Sequence, residues 1–313
     1  MPNFSRRVPG SLMLPLSLLA TLVACADTPA PRQAGDRVRV VATTGMIGDA
    51  ARHVGGDHAE VVALMGPGVD PHLYKASEGD VARLSAADLV LYNGLHLEGK
   101  MGDVLVKLAR SRAVVAVSET VPVDQLREPP EFQGQYDPHV WFDVRLWSHT
   151  LDAIAAAYAE VDPANAATYR ANAEAYRAEL LELDSWVEQR IAELPPERRL
   201  LITAHDAFGY FGRRYGVEVV GLQGISTLAE AGLRDVHRVV DLVVDRQVKA
   251  IFVESSVPRR SIEAVQAAAA ERGHQVAIGG QLFADAMGSA GTPEGTYVGM
   301  VRHNVNTLVE ALR

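Results

Sequence analysis

The sequence predicts an α/β protein of two lobes, each a mostly parallel sheet flanked by helices, joined by one long rigid helix. Three observations carry this. From Val38 onward, short β-branched runs alternate with helical patterns, the mark of parallel-sheet architecture. A second series of the same kind begins at Leu200. Between the two lies a segment of another character, with a single apolar stripe at helical spacing. A chain of 313 residues is also too long for one small core, which suits two lobes.

In the first lobe, strands are expected at residues 38–43, 61–65, 88–93 and 113–117, separated by helices at 46–54, 77–86 and 98–109. The connecting helix is bounded by Asp162-Pro163, an N-cap followed by proline at the first helical position, and by the stop Pro195-Pro196. Within it Ala173, Tyr176, Leu180, Leu183, Val187 and Ile191 recur three or four apart, while Glu and Arg fill the other faces. About 30 helical residues at 1.5 Å each span roughly 45 Å, enough to run along both lobes and stiff enough to limit their opening. Strands of the second lobe are expected at 200–203, 217–222, 248–253 and 275–278. The boundaries that follow are 38–161 for the N-terminal lobe, 162–196 for the linking helix and 197–313 for the C-terminal lobe.

The N-terminus reads as an address. Arg6 and Arg7 precede an apolar stretch at 12–23 that is too short for a membrane span and fits the h-region of a signal peptide over residues 1–24. Its end, Leu22-Val23-Ala24-Cys25, resembles a bacterial lipobox, which makes Cys25 the lipidated first residue of the mature chain. Cys25 is also the only cysteine, so no internal disulfide is possible. Residues 25–37, small, polar and proline-bearing, form a lipidated tether.

Charge narrows the partner. The formal net charge is −9; loss of residues 1–24 removes Arg6 and Arg7 and no acid, leaving 28 bases against 39 acids, a charge of −11. Nucleic acid needs a positive footprint and is therefore not expected, whereas a cation is a natural guest.

Three of the ten histidines sit where a side chain reaches a cleft beyond the carboxyl ends of parallel strands. His72 lies in Gly66-Pro67-Gly68-Val69-Asp70-Pro71-His72, directly after the second strand; His139 lies in Asp137-Pro138-His139-Val140-Trp141; His205 follows Leu201-Ile202-Thr203-Ala204 with no intervening loop. A fourth donor is sought past a late strand of the second lobe, where Glu254 and Asp285 are both well placed. Spacing does not choose between them, because every donor comes from a separate loop and no HExxH motif is present. His53, His58, His149, His237, His274 and His303 sit among charged or helical neighbours and read as solvated or capping residues, and His96 as structural. Trp141, Phe142, Phe208, Tyr210 and Phe211 suit a dry wall around an ion, and Asp137, Asp143 and Asp206 are candidates either to orient imidazoles or to cap loops.

Four stretches, PHLYKASEGDVARLSAADLVLYNGLHLEGKMGDVL (71–105), YDPHVWFDVRLW (136–147), ITAHDAFGYFGRRYGVEVVGLQGIST (202–227) and IGGQLFADAMGSAGTPEGTYVGMVRHN (278–304), resemble the TroA-like, cluster A-I metal-binding lipoproteins of ABC importers for manganese and zinc. The likeness covers essentially the whole mature chain. It implies a substrate-binding protein that holds one Zn2+ or Mn2+ ion on His72, His139, His205 and Asp285, with Glu254 demoted to a supporting position, and that passes the ion to an ABC permease. It implies an exported monomer, lipid-anchored to the membrane at a periplasmic or extracytoplasmic face, and no enzymatic activity. A zinc hydrolase and an adhesive surface lipoprotein are the rival readings; the first lacks an open coordination position if four side chains bind the metal. His205 tilts the site toward zinc, while the missing histidine-rich run removes a mark of dedicated zinc scavengers. Metal must displace protons from imidazole, so binding is expected to weaken as pH drops through about 6.5.

Overall fold

The computed structural model describes residues 35–132 and 134–313, so the signal peptide, the lipobox and Cys25 lie outside the described residues. Among those described, no helix is long and apolar enough to cross a membrane. The first lobe is built on β1 (Val38–Ala42), β2 (Ala59–Ala63), β3 (Leu89–Tyr92) and β4 (Ala113–Ala116), all parallel in the order β2-β1-β3-β4. Helices α1 (Gly45–Gly55), α2 (Glu78–Ala86) and α3 (Gly102–Leu108) provide the crossovers. Helix α2 starts where its chemistry dictates: Ser77 accepts from the Asp80 N–H while the Asp80 carboxylate receives the Ser77 N–H, a reciprocal cap. Helix α3 begins at Gly102, four residues later than its expected start at 98, after a run of turns that opens with Leu95 and His96 at positive φ (52° and 65°).

A segment holding α4 (Val144–Trp147) and α5 (Thr150–Val161) leads to the linking helix α6 (Ala166–Ala192). The sequence signal at Asp162-Pro163 produces a short 3-10 turn before the α-helix proper, and the Asp162 carboxylate accepts from Asn165 Nδ2 and Tyr169 Oη. All six residues of the expected apolar stripe are buried, joined by Tyr169 and Asp184. The stripe is bolted to both lobes. Tyr176 Oη donates to Asp49 Oδ2 of α1 at 2.8 Å, and Asn172 Nδ2 donates to the Val54 carbonyl at 3.0 Å. At its other end Asp184 accepts from Arg214 and Tyr215, and Arg190 Nε donates to Asn306 Oδ1. A rod of 27 residues fixed at both ends, about 40 Å long, resists wide hinge motion. Tyr176→Phe keeps the packing and deletes one buried bond to a carboxylate, so the metal-free protein is expected to lose about 1 kcal/mol of stability. An unchanged denaturant midpoint would contradict that bolt.

The second lobe contains β5 (Leu200–His205), α7 (Gly209–Tyr215), β6 (Glu218–Gln223), α8 (Leu233–Asp245), β7 (Ala250–Glu254), α9 (Arg260–Glu271), β8 (Ala277–Leu282) and α10 (Tyr297–Leu312). Its strands form two parallel pairs, β5–β6 and β7–β8, with β5 and β7 packed side by side. Strand β8 runs to Leu282, four residues past its expected end at 278, because Gly279-Gly280 is accommodated as a bulge at the register shift opposite Ile251 and Phe252. A Cβ on Gly279 would stand 2.7 Å from the Phe252 ring and 2.8 Å from the Ala311 Cβ, so only glycine fits there. One continuous apolar core runs from Val38 of β1 through the α6 stripe to Leu312 of α10, which makes residues 35–313 a single compact unit.

Candidate metal centre

Both Asp-Pro-His turns fold by the same local device. Asp70 Oδ1 accepts the His72 N–H at 2.8 Å, and Asp137 Oδ1 accepts the His139 N–H at 3.0 Å, each reaching past a proline that has no N–H of its own. His205 is the last residue of β5, a strand buried along its whole length, and Asp285 lies three residues beyond the end of β8. These four segments converge between the lobes. His72, His139, His205 and Asp285 each present one atom to a common point, all within 4.8 Å of one another, and every one of the four is buried.

The distances have a definite meaning. His72 Nε2 stands 3.3 Å from His139 Nε2 and 3.7 Å from Asp285 Oδ2, His139 Nε2 is 3.4 Å from Asp285 Oδ1, and His205 Nε2 is 3.3 Å from Asp285 Oδ2. Good charge-assisted hydrogen bonds are shorter, about 2.7–2.9 Å. Four donors held tetrahedrally at about 2.1 Å from one ion would stand about 3.4 Å apart. His205 Nε2 and both Asp285 oxygens are buried without a hydrogen-bond partner, and such atoms are costly unless something else binds them. The donor set is therefore chemically suited to a single divalent metal ion.

Outer carboxylates orient two of the rings. Asp137 Oδ1 takes His139 Nδ1 at 2.8 Å and is itself held by Arg127 Nη1 on Oδ2 at 2.5 Å. Glu254, the last residue of β7, takes the His205 backbone N–H at 2.9 Å and its Nδ1 at 2.5 Å. With Nδ1 committed to a carboxylate, Nε2 is the atom left for the ion. Of the other candidates, Asp143 caps α4 through the Leu146 N–H, and Asp206 binds by its backbone N–H to the Gly224 carbonyl. Phe142 stacks on Phe208 with centroids 4.1 Å apart, and the Trp141 ring meets the His139 ring edge-on; all five residues of the expected aromatic wall are buried. Three of the other histidines have partners elsewhere: His53 stacks on Tyr176, while His274 and His303 pair with backbone carbonyls. A surface cleft lined by Tyr92, His96, Glu119 and Tyr136 contains none of the four donors.

Electrostatics divide the metal-free rings. Burial pushes His72 down to about 3. Burial also acts to lower His139, but Asp137 and Asp285 outweigh it and hold that imidazole up at about 9. For His205 burial is likewise outweighed, by Glu254 and Asp285, and its pKa lies well above the ordinary value. Asp285 is held well below the usual carboxylate range, since its burial is overcome by His205 and His139.

Sequence reasoning did not single out Arg127, Asn93, Glu98 or Thr227. Asn93 Nδ2 donates to the Pro138 carbonyl beside His139 at 3.1 Å, and Glu98 beneath it accepts the Asn93 N–H and the Thr43 hydroxyl, all fully buried. The sole signal was the run Asn93-Gly94 at a strand end followed by an acid in an otherwise apolar stretch.

The family model described as zinc-uptake complex component A, periplasmic, matches residues 40–311. The chain is 52% identical to the manganese-binding lipoprotein MntA of Bacillus subtilis over 293 residues, 93% of this chain and 95% of that protein. It is also 52% identical to the zinc-binding protein TroA of Treponema pallidum over 273 residues, 87% of this chain and 88% of that protein. The solved structure of the periplasmic zinc-binding protein TroA from Treponema pallidum superimposes with a TM-score of 0.86, covering 88% of this chain and 99% of that one.

Proposed function

The chain belongs to the zinc-uptake complex component A family, and on that premise we propose that it is the substrate-binding protein of a bacterial ABC importer. It captures one divalent transition-metal ion, zinc or manganese, between its lobes on His72, His139, His205 and Asp285, and delivers it to a membrane permease. The observation that carries this reading is the buried convergence of three imidazoles and one carboxylate whose facing atoms include three with no hydrogen-bond partner.

The two relatives at 52% identity divide between manganese and zinc in their names. The donors are of intermediate hardness and accept both. Asp285 turns Oδ1 toward His139 and Oδ2 toward His72 and His205, so the carboxylate can bind through one oxygen in the four-coordinate shell zinc favours, or through two for an ion that takes more donors. Four protein donors leave no position for an activated water, which supports cargo handling rather than hydrolysis. The same reading makes Cys25 the lipid anchor of a monomer at the extracytoplasmic face, with lobes at 38–161 and 197–313 and the linking helix at 162–196. It fits the lipoprotein names of relatives from Bacillus subtilis and Streptococcus pneumoniae.

A metal titration across pH tests this. One ion per chain is expected, with protons released on binding, and the sign of the pH dependence follows from competition for Nε2. A pKa raised in the metal-free protein means a proton must leave before metal enters, so affinity keeps rising with pH toward about 9, the value for His139. That window lies above the ordinary histidine value of about 6.5, because Asp137 and Asp285 stabilise the protonated ring. Absence of bound metal by elemental analysis, or an affinity flat from pH 6 to 9, would count against the assignment.

A further inference from the structure

The two Asp-Pro-His turns share a local geometry but differ in what their second carboxylate oxygen does. In the turn bearing His139, the aspartate also holds the imidazole and is pinned by Arg127. In the turn bearing His72, Asp70 Oδ2 instead accepts from Thr227 Oγ1 at 2.6 Å, across the cleft in the loop after β6. Among the described residues, His72 is the one imidazole of the three with no carboxylate on its Nδ1.

Ties between the lobes are equally uneven. The segment of His139 is secured to the second lobe by Tyr210 Oη donating to the Asp137 carbonyl at 2.8 Å, Trp141 Nε1 donating to the Ala284 carbonyl at 3.1 Å, and Tyr297 Oη donating to the Trp141 carbonyl at 2.6 Å. His139, His205 and Asp285 thus form one platform. Residues 66–77, which carry His72, reach the second lobe through a single hydrogen bond among the described residues once the metal-facing side chains are set aside: Thr227 to Asp70. The turn seats closely, since a Cβ on Gly68 (φ +73°) would stand 3.3 Å from the Ser255 carbonyl oxygen. Thr227 is only 7% exposed, so its bond is shielded from competing water.

We propose that Thr227 is a positioning residue that latches His72 onto the platform of His139, His205 and Asp285, so that opening of the Thr227–Asp70 bond is the step that frees the ion. This rests on the metal-binding reading above. Thr227 touches no donor atom; it acts through Asp70, whose other oxygen fixes the His72 backbone N–H.

The test compares Thr227→Val, equal in shape but without the hydroxyl, with Thr227→Ser, which keeps it. Each full chain is loaded with one zinc ion and mixed with excess chromophoric chelator, and the rate of zinc loss is followed. Thr227→Val is expected to release zinc about tenfold faster than wild type, as loss of a charge-assisted hydrogen bond implies. Thr227→Ala should match it, Thr227→Ser should restore the wild-type rate, and all should bind one ion. Release from Thr227→Val at the wild-type rate, or equal acceleration in Thr227→Ser, overturns the latch and leaves metal binding intact. Failure of the wild-type chain to load zinc overturns the metal-binding reading instead.

Discussion

Replacement of Asp285 by alanine is expected to weaken metal binding by more than about a hundredfold, beyond the 10–100-fold that loss of an outer-shell partner costs. Asp285 is the one carboxylate at the centre, and its two oxygens reach all three imidazoles. In the metal-free protein it also joins Asp137 in raising the pKa of His139 and Glu254 in raising that of His205. Two readouts follow from the one change. Affinity falls, and the pH dependence of what remains shifts toward lower pH, because His139 loses one of the two carboxylates that raise it. Asp285→Asn keeps the shape and removes the charge, so it should share both effects. Chelator competition at pH 7 and 9 measures them, and wild-type affinity in either variant would remove Asp285 from the centre.

The second large effect is expected at Glu254, whose carboxylate lies on Nδ1 of His205 rather than among the four converging donor atoms. Glu254→Ala leaves the His205 backbone N–H and Nδ1 buried without the acceptor that now takes both, and frees the ring to turn or change tautomer. A loss of about 10–100-fold in metal affinity is expected, with about 1–3 kcal/mol of stability lost in the metal-free protein. Glu254→Gln, which retains one acceptor oxygen, should fall between. If Glu254→Ala bound metal like the wild type, β5 alone would suffice to aim His205, and the carboxylate would be a buried strand-end residue with no part in the centre.

Glu254 and Asp285 also mark where reading the chain ran out. Each is an acid at the carboxyl end of a late strand, and on address alone neither outranks the other. In space they lie on opposite sides of the His205 ring, Glu254 on Nδ1 and Asp285 toward Nε2. The family resemblance pointed to the same division, but its physical basis is the side-by-side packing of β5 with β7. A similar limit applies to the linking helix, whose apolar stripe was plain while Asp184 was not. A buried acid on that stripe makes sense only once Arg214 and Tyr215 of α7 are seen to face it.

What the sequence determined by itself was everything whose cause is local. Strand runs, the helical stripe and the two Asp-Pro-His turns are specified by residues within a few positions of one another, so periodicity and turn chemistry reveal them. The address of His205 belongs here too, since a residue at the end of a parallel strand is carried to the cleft whatever lies opposite. Only the tertiary structure decided which groups complete and control the centre. The pairs involved are 49 residues apart for His205 and Glu254, 143 for Trp141 and Ala284, and 157 for Asp70 and Thr227. Such pairs leave no pattern along the chain, because they come into being when burial of one shared core brings two separately encoded lobes face to face.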